Sequence, residues 1–274
     1  MSIIYHVRVA KAVAVRDFKI RITYIPWIIN SLVQPIVWTY ILIYAYRAVI
    51  GTPETLQQYG WPADYVGFLI LGQVLLSLFN ALNWRAGMAI QRERWFGTLE
   101  MVFLTPASRL IMLTGSSIYG LIDAGWVSFL AALIVFLATG TGFRVADPVA
   151  AILSLSIAVV GAVSMGIGLA GLYVLTRSAG PIAVAIQHPL RFFSGSSFPL
   201  SILPASLQYV GYALPLTYGI EAVRISVLEG GTLGDVYHLI IRLSLISLAS
   251  ILAGLLFVRW AESLAKKYGW LHTF

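Results

Sequence analysis

From Ile111 to Thr139 the sequence carries a single charged residue, Asp123, and the stretches 26–46, 65–84, 149–175 and 237–258 are similarly apolar. A helical run of about 20 such residues reaches across a hydrocarbon core of roughly 30 Å, and its backbone polar groups are satisfied within the segment. Only 11% of the 274 residues are charged and 59% are apolar, whereas soluble domains carry about 25% charged residues. The chain therefore reads as an all-α membrane protein with one transmembrane domain over residues 1–274. There is no cysteine, which excludes disulfides and thiolate metal sites. The net charge of +7 suits nucleic acid in a soluble protein; in a membrane protein it is the cytoplasmic excess of Lys and Arg.

Residues 1–22 lack the order of a secretory leader, because basic residues run through them. At 100° per residue, Arg8, Lys11, Arg16 and Lys19 share one arc. That pattern predicts an interfacial amphipathic helix over 3–21, with its cations beside anionic headgroups of membrane lipid and Asp17 off the basic face.

Six spans are expected: the five stretches above and a shorter one at 180–194. The short one crosses only if its continuation dips back into the membrane. In that continuation, Pro199, Pro204 and Pro215 break two apolar pieces, 199–203 and 205–214. Residues 195–224 thus read as a re-entrant helix pair packed against protein, where broken backbone finds partners that lipid lacks. With the N-terminus inside, thirteen of the Lys and Arg residues lie on inner segments, and Arg47, Arg144, Arg191, Arg224 and Arg242 do not. This predicts a multi-pass protein of the cell membrane with both termini cytoplasmic.

Between the second and third spans the segment 85–110 contains RERWFGTLEMVFLTPASRL, from Arg92 to Leu110. Gly97 can end the helix continuing from the second span, Thr98 is a good N-cap, and Glu100 sits in the favourable first turn of a new helix. That helix holds Leu99, Met101, Val102, Phe103 and Leu104 and stops before Pro106. An apolar helix facing water needs a protein partner or the interface to cover it.

Two patterns carry a family resemblance. The first is E-R-x-x-G-T-L-E from Glu93 to Glu100, followed by Leu104-Thr105-Pro106. The second runs from Phe193 to Arg224, with F-x-G-x-x-F-P, L-P, P-L-T-Y and E-x-x-R. Their order and their places among six spans resemble the permeases of type-2 ABC transporters. The resemblance implies that Arg92, Glu93, Gly97, Thr98, Leu99, Glu100, Thr105 and Pro106 form a cytoplasmic coupling helix. It implies that Pro199, Pro204, Pro215 and Arg224 shape an extracellular cap. It also implies an ABC ATPase subunit in two copies, which binds ATP and Mg, and a second copy of this permease or a close relative.

The residues fit a subunit that does no chemistry of its own. There is no G-x-x-x-x-G-K-[ST], so ATP must belong to another chain. Gly166 to Gly171 reads G-x-G-x-x-G but lies inside a span, where close helix packing with Ala162, Ser164 and Gly168 explains it better than a dinucleotide site. His6, His188, His238 and His272 are scattered without metal-ligand spacing, and Asp123 is a lone carboxylate. No catalytic, cofactor or metal residue is expected, and no nucleic acid partner.

Two polar stripes are candidates for a substrate path. Asn30, Gln34 and Trp38 recur at helical spacing in the first span, and Gln73, Ser77 and Asn80 in the second. Such residues line a path or hydrogen-bond helix to helix. Asp123 calls for a partner in Arg85 or another cation near the inner side. The function expected is the membrane subunit of an ATP-driven exporter of an amphiphile, drug or lipid; a lipid-linked polysaccharide is the alternative within the family. A nucleotide-independent secondary transporter or scaffold is the alternative outside it, and an inverted repeat with buried coupling carboxylates would mark the former.

Overall fold

The computed structural model describes residues 3–51, 53–58, 60–95, 97, 109–140, 142, 144–175 and 179–267. Among these, every regular element is helical. In chain order they are α1 (Ile3–Thr23), α2 (Ile25–Ile50), α3 (Pro53–Gln58), α4 (Tyr65–Trp95), α5 (Arg109–Thr139), α6 (Pro148–Leu175) and α7 (Ala179–Phe193). A 3-10 turn at Leu200–Ile202 precedes α8 (Ala205–Tyr212), α9 (Pro215–Val227) and α10 (Leu233–Lys267).

Among the described residues, five helices are long and apolar enough to cross a membrane: Ile25–Val49, Tyr65–Trp84, Tyr119–Thr139, Pro148–Ile167 and Leu233–Ala261. The expected count of six included 180–194. There the structure gives α7, with 15 residues, about 22 Å of helix against a core of roughly 30 Å. Chain geometry explains the shortfall: Pro189 removes a backbone donor inside the helix, and the chain turns at Ser194 with Gly195 at φ 73°.

α4 is the hub. Its apolar window is 72% buried, against 17–33% for the other four, so its neighbours wrap it and face outward themselves. Leu71, Leu75, Phe79 and Leu82 of α4 pack with Ala124, Ala162, Leu216 and Ile220 from α5, α6 and α9. A second cluster joins Ile43, Trp61, Tyr65, Phe68 and Val135 at the end of the bundle near Gly51. Trp27, Ile122, Phe129, Ile152, Leu245 and Leu256 stay exposed. That surface is wrong for water and right for acyl chains.

Helices in lipid gain little hydrophobic drive from touching each other, so close approach and hydrogen bonds decide the packing. A Cβ on Gly219 would lie 2.9 Å from the Ala158 Cβ, and one on Gly161 3.0 Å from Leu243. Ala162 and Ser164 are buried on the same helix, in the small-residue stretch anticipated for contact. Ser154 and Ser226 hydroxyls meet at 3.1 Å between α6 and α9. Asp147 then ties two helix starts together. Its Oδ1 accepts from the N–H of Val149 at 2.9 Å and of Ala150 at 3.2 Å, and its Oδ2 from that of Leu233 at 3.0 Å. α6 and α10 therefore run parallel from one shared cap.

α1 is helical over the expected stretch but is not only a surface helix. Val13 and Asp17 are buried, with Asp17 paired to Arg16 at 2.9 Å. The Phe18 ring meets Tyr119 of α5 edge-on at 6.2 Å. Arg8, Lys11, Arg16, Lys19, Val15 and Ile20 line a shallow groove on its outer side.

Candidate functional site

Three arrangements of polar groups stand out in this apolar bundle. The first is built around Arg224 on α9. Its Nη1 donates to the Gly195 carbonyl at 2.8 Å, and its Nη2 to the carbonyls of Phe68 at 2.9 Å and Ser196 at 3.4 Å. The guanidinium carbon lies 3.3 Å from the centre of the Phe68 ring. Gly72 makes this possible, because a Cβ there would overlap both the Ser196 carbonyl and Nη2 of Arg224. The Phe68 carbonyl belongs to the helix ladder, one turn before Gly72, and the bare glycine leaves it accessible.

The same turn is held from two other helices. Gln73 donates through Nε2 to Ser197 Oγ at 3.2 Å and to the Ser196 carbonyl at 3.5 Å. Tyr46 of α2 donates to the Ser197 carbonyl at 3.1 Å. Ser194, Ser196 and Ser197 are buried, so the carbonyls of this non-helical chain need these donors. Pro199 and Pro204 precede the 3-10 turn and α8, and Pro215 opens α9. Each proline falls where its missing N–H is harmless.

The second arrangement is the polar stripe of α2. Asn30, Gln34 and Trp38 are exposed on successive turns. Arg191, near the end of α7, places its guanidinium 4.4 Å from the centre of the Trp38 ring. The stripe of α4 points elsewhere. Gln73 is buried against the 194–197 turn, Ser77 meets Ser128 of α5 at 3.3 Å, and Asn80 is half-buried with an unpartnered Oδ1.

The third is an ion pair. Arg21 of α1 donates through Nε to Asp123 of α5 at 3.3 Å and through Nη2 to Ser31 of α2 at 2.7 Å. Asp123 also accepts from the Tyr119 hydroxyl at 3.4 Å. The pair joins three helices. The cation expected beside Asp123 is thus supplied by α1.

Of the expected coupling element, Arg92 and Glu93 lie in the last turns of α4, and Gly97 follows the helix at φ 65°. That left-handed conformation suits a glycine just past a helix end. Thr98, Leu99, Glu100, Thr105 and Pro106 lie outside the described residues.

The sequence model of the ABC-2 type transporter family matches residues 8–228, from the basic face of α1 to just past α9. The chain belongs to that family. It is accordingly a multi-pass membrane protein and a membrane subunit of an ABC transporter, and the family implies an ABC ATPase as partner. No curated protein matches the sequence. Within this permease, sequence reasoning had singled out Arg224 but missed Phe68, Gly72 and Tyr46. A glycine beside a glutamine inside an apolar span, as in Gly72-Gln73, was the available signal for a close backbone approach.

Proposed function

We propose that the permease is the transmembrane subunit of an exporter that moves an amphiphilic drug or lipid outward across the cell membrane. A separate ATPase, present in two copies and binding ATP and Mg, energises it. A second copy of this chain completes the path, and α7 makes the sixth crossing together with the re-entrant chain that follows it. Both termini then face the cytoplasm, and the 195–224 segment is the re-entrant cap on the outer side.

The observation that carries this reading is the span of α4. One helix of 31 residues, about 46 Å long, runs into the coupling segment 85–110 and ends beside Gly97. Near its other end, Phe68 and Gly72 hold Arg224 and the 194–197 turn. Force applied at the coupling segment by nucleotide-driven closure of the ATPases would reach the cap through a single rigid element, a two-state device biased by ligand binding. The exposed stripe Asn30–Gln34–Trp38 supports a path along α2, since amides are costly against acyl chains and belong against a cavity or protein.

The test is co-purification of the permease with its ATPase, followed by ATP hydrolysis and transport in vesicles. Replacing Glu100 with Arg in the coupling helix is expected to abolish the association or the coupled hydrolysis. An unchanged complex with unchanged transport would refute the coupling role. A lipid-linked glycan is the second reading, favoured by the exposed rings of Tyr24, Trp27, Trp38 and Tyr44 along α2, because sugars stack on such faces.

A further inference from the structure

Arg191 is in an unusual place for a cation. Its guanidinium rests on Trp38, and Trp38 lies one residue from the middle of the apolar window Ile25–Val49 (midpoint 37). The nearer end of that window is eleven residues on, about 16 Å along the helix. An arginine side chain held on Trp38 therefore lies against the middle of an apolar helix rather than reaching toward either of its ends, which is not the snorkelling arrangement.

Nor do the described residues neutralise the charge. Among the described residues the ion pairs are Arg16–Asp17 and Arg21–Asp123, and neither involves Arg191. Its Nη1 is buried and makes no hydrogen bond. The residue as a whole is only half-buried, while Trp38 beside it is 39% exposed and Phe192 52%. The site therefore combines an unneutralised cation, an aromatic face and apolar surroundings, open on the side where Gln34 and Asn30 lie one and two turns away. A charge at this depth marks a functional position, and its natural counter-ion is an anion carried by something apolar enough to arrive there.

We infer that Arg191 and Trp38 form a recognition site for the anionic headgroup of an amphiphile, and that the cargo is an anionic amphiphile rather than a neutral or cationic one. This rests on the reading of the α2 face as the transport path. Arg191 is also tied to the cap: its carbonyl accepts from Ser196 Oγ at 3.0 Å, and the Ser196 carbonyl accepts from Arg224 and Gln73. A headgroup held at Arg191 would thus sit directly against the turn that α4 controls.

The test uses the purified full chain in a neutral maltoside detergent, without any ATPase. Dodecyl phosphate is titrated while tryptophan fluorescence is followed, and the component that Trp38→Phe removes reports the site. Saturable binding of dodecyl phosphate is expected. Arg191→Gln is expected to weaken it about tenfold or more, and Arg191→Lys, which keeps the charge but loses the planar stacking on Trp38, to weaken it less than Arg191→Gln does. A Trp38 signal that dodecyl phosphate leaves unchanged would overturn the inference. So would dodecanol binding as well as dodecyl phosphate to the native protein, an outcome that needs no variant to fold. Inorganic phosphate saturating at the same concentration would also overturn it, since the site would then read a free anion. Failure of any of these leaves the exporter reading to be decided by co-purification with the ATPase.

Discussion

Arg224 lies across the ring of Phe68, with its guanidinium carbon 3.3 Å from the ring centre, and donates through Nη2 to that same residue's backbone carbonyl at 2.9 Å. One side chain thereby grips both the face and the backbone of a residue on the central helix, and its other nitrogen holds the buried turn at Gly195. The guanidinium is held by carbonyl dipoles and a π face, with no carboxylate in direct ion-pair contact among the described residues.

This grip depends on the missing side chain at Gly72. Gly72→Ala should push Arg224 and Ser196 away from α4 and lower stability by about 1–3 kcal/mol, the usual range for overpacking a filled interior. Thermal unfolding of the purified protein in detergent measures it. If α4 drives the cap through this contact, ATP hydrolysis by the assembled complex should persist while transport falls. A variant that transports normally would separate the grip from the mechanism.

The pair Arg21–Asp123 predicts a strong asymmetry between single and double changes. Each side chain is 11% exposed, so Asp123→Asn leaves a largely buried cation without its anion, at a cost of about 3–5 kcal/mol. Combining it with Arg21→Gln should recover much of that loss. A double-mutant cycle on unfolding reads the coupling, and additive losses would show that the two residues act independently.

Asp147 gives the protein an acid-sensitive joint. Donation from the Ala150 N–H, then from the Leu233 N–H, holds its carboxyl below the ordinary aspartate range. A lowered folded-state value means stability that is present above the unfolded value of about 3.9 and is lost as pH falls through the folded one. The melting temperature of the native protein should therefore exceed that of Asp147→Asn at pH 6, and the gap should close on acidification below about pH 4. A gap that holds at low pH would mean that the charge of the cap is irrelevant.

The polar stripe of α2 makes the opposite prediction to a structural residue. Gln34 is exposed, so Gln34→Leu should leave unfolding within about 0.5 kcal/mol of the native protein while lowering transport. Loss of stability with unaltered transport would place Gln34 in packing instead of the path.

The sequence determined most of the helices of this permease. A hydrocarbon solvent demands long apolar runs whose backbone bonds close internally, and α2, α4, α5, α6 and α10 are legible for that reason. Prolines 199, 204 and 215 marked the breaks before the 3-10 turn, α8 and α9 through the same local chemistry. What the sequence left open was which neighbour covers each face. Gln34 and Gln73 look alike in apolar surroundings, yet one is exposed and the other is sealed against Ser196 and Ser197. Asp123 could have met any nearby cation, and α1 brings Arg21. In water an apolar stripe announces the buried side of a helix; in lipid both sides are apolar, and partners are chosen by close approach and a few hydrogen bonds. Gly72 admitting Arg224, and Trp38 receiving Arg191, are contacts between residues far apart in the chain, and only the assembled bundle could decide them.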